Sequence, residues 1–302
     1  MGARTPLTTA GPTTGSEMVS TEQAREAVSR ITGHGIERVR QLGGGDASAA
    51  FAVHLDDGSA VFAKTAEESS IAAEAASLAW LAEAGAVPVP AVHGHDGRWL
   101  VTDHIAADGP GPRAAEDLGR GLAALHAAGA PAHGAPPPGG PADAWIGLAP
   151  MRNEPCADWP SFYVTHRVEP YVRMARDAGT LCARDAEVVS RACDRIGGLG
   201  GADEAPSRLH GDLWSGNVHW AGQAWLIDPA AHGGHRETDL AMLHLFGCPG
   251  LDRVVAAYQE VSPLAPGWRD RIGAHQLFPL LVHAVLFGGG YAAQAVAAAQ
   301  RV

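Results

Sequence analysis

Three oxygen-bearing side chains stand close together late in the chain. Asp212 lies within His210-Gly211-Asp212-Leu213-Trp214-Ser215-Gly216-Asn217, and Asp228 follows in Leu226-Ile227-Asp228-Pro229. Phosphoryl transfer asks for such a set: a carboxylate to accept the proton of an attacking hydroxyl, and hard oxygen ligands for Mg²⁺. Asp212 is the candidate base. Asn217 offers an amide oxygen from the far end of the same loop, and Asp228 a carboxylate at the end of the next strand. Both are candidate metal ligands. Apolar Val218 and Leu226-Ile227 predict strands that aim Asn217 and Asp228 at one point.

The cationic half lies upstream. Gly43-Gly44-Gly45 would let the main chain approach phosphates that a side chain would fend off. Lys64, which ends Val61-Phe62-Ala63-Lys64, is a candidate ligand of the nucleotide phosphates. Glu74, inside the next helix, is its expected ion-pair partner in preference to Glu67 or Glu68. The chain has 22 lysines and arginines, and Lys64 is the single lysine. An ammonium is a compact point charge on a flexible stem, whereas a guanidinium is a broad fork. A sequence that uses arginine wherever charge alone is needed keeps its one lysine where phosphate must be gripped. The glycine triplet is a weak signal among 38 glycines, so the weight falls on the ordered combination.

The patterning around these residues predicts strands over 36–42, 50–55 and 59–64, joined by the glycine turn and by the hairpin signal Asp56-Asp57-Gly58. A helix over 69–84 follows, then extended Val87-Pro88-Val89-Pro90 and a strand over 99–105. Ahead of them, Ser20 and Gln23 mark the start of a helix running to about Ser29. Residues 1–19, rich in Thr, Gly and Pro, read as a disordered tail. Asp108-Gly109-Pro110-Gly111-Pro112 reads as a break. Beyond it, helices are expected over 114–128, 159–176, 183–196, 238–246, 251–260 and 268–287, with a Pro/Gly-rich loop over 130–141. The expected class is α+β in two lobes. Residues 20–107 form an antiparallel sheet with a helix, and residues 108–302 are mostly helical and carry the catalytic loop.

Composition removes other classes. A formal net charge of −11 without a basic run argues against nucleic-acid binding. No stretch approaches the roughly 18 apolar residues of a membrane helix, and no signal peptide is visible. Cys156, Cys182, Cys193 and Cys248 form no CxxC pair and suit free thiols in a reducing compartment, so a cytoplasmic location is expected. Oligomeric state is not legible.

Taken together, these motifs resemble the fructosamine kinases, also called ketosamine-3-kinases, which share the fold of aminoglycoside phosphotransferases and protein kinases. The likeness runs from about Ile36 to Tyr291. It is carried by Gly43-Gly44-Gly45-Asp46, by Trp159-Pro160-Ser161-Phe162 with Arg167, and by the His210–Asn217 loop. Asp228-Pro229-Ala230, Gly234-His235-Arg236-Glu237 and the run from Gln276-Leu277-Phe278-Pro279 to Gly290-Tyr291 complete it. The resemblance implies a bilobal protein-kinase-like fold. It implies ATP- and Mg²⁺-dependent phosphorylation of the 3-hydroxyl of a sugar-derived ketosamine, free or on a protein lysine. It further implies that the main chain at Asp103, His104 and Ile105 meets the adenine and that Trp214 stacks on the sugar-amine. An aminoglycoside- or choline-type phosphotransferase and a nucleotide-binding pseudokinase are the alternatives. The sequence departs from the family at Asp46, where some members carry Cys, at Asp239, often Glu, and at the hinge Thr102-Asp103-His104.

Neighbouring residues read as support. His210 is expected to bond main chain near the Asp228 turn. Asp239 is expected to cap a helix start and brace the catalytic loop. His232 and His235 invite a zinc reading that lacks a third ligand at suitable spacing.

Overall fold

The computed structural model describes residues 19–43, 49–111 and 113–302. Residues 1–18 of the expected tail lie outside these, as do Gly44, Gly45, Asp46 and Pro112. Five strands form one antiparallel sheet in the order β1-β2-β3-β5-β4, from β1 (Ile36–Leu42), β2 (Ala49–Leu55), β3 (Ala60–Thr65), β4 (Val92–His95) and β5 (Trp99–Asp103). Helix α1 (Thr21–Thr32) opens on the expected capping box, with Ser20 Oγ accepting from Gln23 N and Gln23 Oε1 from Ser20 N. It passes Ser29 and stops at Gly33, the first residue able to take the left-handed cap conformation (φ 76°).

Alternation along the strands decides which face each residue serves. Phe51, Val53, Val61, Ala63, Trp99 and Val101 pack with α1. Leu100, of opposite parity, packs against Ile71, Ala75 and Leu78 of α2 (Glu68–Glu83). Lys64 pairs with Leu100 and Phe62 with Thr102. The same period of two therefore puts Lys64 and Phe62 on the α2 face, away from the α1 core. Strand β5 ends at Asp103, short of the expected 105, and Val61↔Asp103 is its last pair with β3.

What reads in sequence as a break at 108–112 is a joint. Gly109–Pro110 (β6) pairs in parallel with Ala221-Gly222 of β10 (Val218–Leu226), and Asp108 Oδ1 accepts the Gly222 N–H at 2.6 Å. The helical lobe holds α3 (Ala114–Ala127), α4 (Trp159–Phe162), α5 (Glu169–Asp177), α6 (Ala183–Ile196), α7 (Glu237–Phe246), α8 (Leu251–Val261) and α9 (Trp268–Phe287). Several elements escape the sequence patterning: β4, β6, a hairpin of β7 (Asp143–Ile146) and β8 (Ala149–Arg152), the pair β9 (Ser207–Leu209) and β11 (His232–Gly234), and α10 (Tyr291–Ala299). The expected helix over 159–176 is interrupted by a π-turn, Tyr163–Val168. Pro170 has no N–H to give to the His166 carbonyl, which accepts Arg167 Nη1 instead at 3.1 Å. Among the described residues no helix is long and apolar enough to cross a membrane.

Helices α3 and α8 meet at a glycine. A Cβ on Gly119 would lie 2.1 Å from the Val254 carbonyl oxygen and 3.0 Å from Ala257 Cβ, both on α8. Gly119→Ala is therefore expected to destabilise the fold by about 1–3 kcal/mol through overpacking, despite alanine's better helix propensity. Chemical denaturation checks this, and an unchanged midpoint would contradict the close contact.

Candidate active site

The catalytic loop is built by local constraints. Gly211 sits at φ 82°, and a Cβ there would lie 2.0 Å from the Ala230 carbonyl oxygen, so only glycine fits. His210 Nε2 meets the Ile227 carbonyl at 3.0 Å and must be the protonated nitrogen. Its Nδ1 is then free to accept from Asp212 N at 3.3 Å, fixing a neutral tautomer that burial also favours. Asp239 does not cap its helix. It is the third residue of α7, which begins at Glu237, and its carboxylate accepts from His210 N (2.8 Å) and Gly211 N (3.0 Å) and contacts His126 Nε2 (3.2 Å). Burial opposes its charge, and these partners more than offset it, leaving Asp239 below the usual carboxylate range.

Asn217 ends a 3₁₀ turn (Ser215–Asn217) and donates through Nδ2 to the Asp212 carbonyl (2.8 Å), Asp212 Oδ2 (3.0 Å) and the Asp228 carbonyl (3.4 Å). Segment β10 folds back on itself. Ile227 N donates to the Asn217 carbonyl at 3.0 Å, so the loop and Asp228 emerge side by side. Asp228 is the one non-glycine residue at positive φ (50°) among those described. Burial pushes Asp212 up to about 7, with Asn217 opposing and the Asp228 and Asp239 charges adding to the rise.

Lys64 reaches across from the sheet. Its Nζ lies 2.5 Å from Glu74 Oε2 and 2.7 Å from Asp228 Oδ1, with the lysine and Glu74 side chains only 12% and 14% exposed. Burial disfavours the ammonium, but the two carboxylates outweigh it and hold the Lys64 pKa above its ordinary value. Lys64 in turn lowers Asp228 against the pull of burial, while burial and the Asp228 charge raise Glu74. Glu67 and Glu68 stand at the exposed start of α2.

Two cavities meet along this line. One, about 400 Å³, has Phe62 and Leu42 on the sheet side and Ile227 on the other, with Asp103, His104 and Ile105 at its back. The Asp103 side chain is turned away, accepting Ala91 N (3.0 Å) and contacting His93 (2.8 Å), so its main chain faces the cavity. The other, about 330 Å³, holds Asp212, Asn217 and Trp214, and is walled by Trp145 and Leu148 of the β7–β8 hairpin. Glu74 and Asp228 line both. Trp214, 39% exposed, sets its edge on Phe246 and its ring over Gly216. Gly43 lies at the end of β1, and Gly44 and Gly45 are outside the described residues. The sequence patterning did not find Trp145 or Leu148. The two-residue turn Gly147-Leu148, with Gly147 at φ 56°, was the available signal.

A divalent cation suits the donor set. Asn217 commits its Nδ2 to Asp212 and the Asp228 carbonyl, which leaves its Oδ1 without a hydrogen bond among the described residues, and the Asp228 carboxylate lines the same cavity: two hard oxygens on one wall. The histidine pair reads differently. Glu237 and His275 do approach His235, but Arg271 takes both Glu237 oxygens, and His235 bonds the Gly201 carbonyl (2.8 Å) and Glu237 N (3.2 Å). A site holding a guanidinium, with both His235 nitrogens engaged, is a structural network.

The family described as fructosamine kinase matches residues 20–302. A solved structure from Thermobifida fusca, described as a fructosamine-3-kinase, is 45% identical with a TM-score of 0.86, covering 91% of this chain and 96% of that one. A protein of Enterococcus faecium named a ketoamine kinase is 34% identical over 205 residues, 66% of this chain and 70% of the relative. A chloroplastic protein-ribulosamine 3-kinase of Arabidopsis thaliana is 31% identical over 276 residues, 86% of this chain and 81% of the relative.

Proposed function

The chain belongs to the fructosamine kinase family, and from that premise we propose that it transfers the γ-phosphoryl group of ATP to a hydroxyl of a sugar-derived ketosamine, fructosamine or ribulosamine in type. The observation that carries this reading is the junction of the two cavities at Glu74 and Asp228, with Asp212 on the acceptor side and Lys64 between. In this reading residues 20–107 supply the nucleotide side and residues 108–302 the acceptor side. The apolar slot takes the purine, with the main chain of Asp103 to Ile105 along its edge. Lys64 holds the phosphates and Glu74 fixes Lys64. Gly43, Gly44 and Gly45 cover the phosphate chain.

Asp212 accepts the proton of the attacking hydroxyl through Oδ1, while Asn217 holds Oδ2 and so fixes the carboxylate's rotation. Trp214 offers a flat face to the C–H groups of the acceptor. Asn217 Oδ1 and Asp228 would hold Mg²⁺, which when bound neutralises charge on the phosphates. The acceptor, free or on a protein lysine, enters past Trp145 and Leu148. Incubation with ATP and Mg²⁺ against a panel of fructosamines, ribulosamines, aminoglycosides and choline checks the reading. ADP release with a ketosamine alone is the expected result. Turnover of an aminoglycoside or choline in place of every ketosamine would overturn it.

A further inference from the structure

Arg167 is a buried cation with no carboxylate partner among the described residues. It is 1% exposed, with its guanidinium carbon 4.5 Å from the centre of the Phe162 ring and 5.5 Å from that of Phe278. Burial lowers its pKa to about 10. Such a group is costly to bury unless its donors are used. Its Nη donors go to the Arg152 carbonyl (Nη1, 2.7 Å), the His166 carbonyl (Nη1, 3.1 Å) and Asn153 Oδ1 (Nη2, 2.6 Å), while Nε has no partner among the described residues. The last bond is the informative one. A guanidinium accepts nothing, so the Asn153 amide must turn its oxygen toward Arg167 and its nitrogen away. That nitrogen is buried and has no hydrogen-bond partner among the described residues. Asn153 is itself 1% exposed and lines the same cavity as Asp212 and Trp214. A buried donor left unpaired is unfavourable, and a ligand oxygen in that cavity would relieve it.

We propose that Asn153 is a specificity-determining residue of the acceptor site, its Nδ2 donating to a sugar oxygen of the acceptor, and that Arg167 is the positioning residue that locks the amide's orientation. The inference rests on the acceptor being a polyhydroxylated sugar-amine, as read above. It gives a use to the arginine that follows Trp159-Pro160-Ser161-Phe162: Phe162 and Phe278 cage the guanidinium, and the guanidinium polarises an amide in the cavity wall. A site that donates to a substrate oxygen rejects the analogue lacking that oxygen far more strongly than an apolar pocket rejects a methylene.

Asn153→Asp keeps an oxygen for Arg167, now as an ion pair, and deletes the donor. Steady-state kinetics on a fructosamine and its single-deoxy analogues, with the KM for ATP and the melting temperature, test the assignment. The acceptor kcat/KM is expected to fall about 10- to 100-fold, while the KM for ATP moves by less than about twofold. One deoxy analogue should cost the wild type a similar factor, and that analogue should cost the variant little more. Losses that simply add on every analogue, or a variant with wild-type acceptor kinetics, overturn the proposal. Should Asn153→Asp melt early, Asn153→Ser and the wild-type analogue series decide, and a wild type indifferent to every single deoxy change overturns it. Failure of the wild type on all ketosamines is a different result, and removes the functional reading together with this one.

Discussion

Asp212→Asn is expected to leave a folded protein that binds ATP but turns over its acceptor roughly 10³-fold more slowly. The amide keeps the shape and the bond to Asn217 while losing the proton-accepting charge. Residual turnover close to wild type would remove Asp212 from the base role. The pH profile sharpens the test. Burial pushes the Asp212 pKa up to about 7, and a base must be ionised to act, so wild-type kcat/KM should climb as pH rises toward 7 and flatten above it. The variant should lose that limb. Stability should move the other way. A carboxyl whose folded pKa is raised favours the native state only while protonated, so its ionisation destabilises the nucleotide-free fold progressively from about pH 4 to about pH 7. Asp212→Asn lifts that penalty. The variant should be more stable than wild type at pH 8, by about 2 kcal/mol after allowance for partial exposure, and equal to it near pH 4. A site that costs stability in order to hold a usable base is the expected trade-off.

The residues that do local work were the legible ones. The capping box of α1, the Asp56-Asp57-Gly58 turn and the period of two in β2 and β3 each follow from contacts within a few residues, and each appears in the fold. The Asp212-to-Asn217 spacing was legible because one loop carries both side chains. What escaped depends on distant partners. The β7–β8 hairpin lies beyond a Pro/Gly-rich stretch, and its value is the wall it forms against residues far along the chain. Asp239 braces the catalytic loop as expected but is not the cap, since α7 starts at Glu237 with Arg236 at the cap position. The Arg167–Asn153 bond crosses between a π-turn and the end of β8, and no periodicity announces it. Arg167 stood out only as part of a motif, with no chemistry attached.

The lone lysine supplies the second large effect. Lys64→Arg is expected to lower kcat/KM for ATP by roughly 10²-fold with the fold intact. In the structure one nitrogen sits 2.5 Å from Glu74 and 2.7 Å from Asp228, which only a small, freely rotating donor can do while keeping a third direction for phosphate. A guanidinium in the same place would prefer a bidentate bond to one carboxylate. Its plane would turn a fixed fork toward the other, displacing Asp228 from the position where it lies beside Asn217. Lys64→Met separates shape from charge. It removes the ammonium and leaves Glu74 and Asp228 facing each other, so both carboxyls should titrate higher and stability should fall as pH rises. If position matters, the arginine variant should bind ATP with modest loss and fail mainly in turnover. The methionine variant should lose both. Equal kinetics for Lys64→Arg and wild type would show that any cation suffices, and that the one lysine in a sequence of arginines carries no chemical requirement.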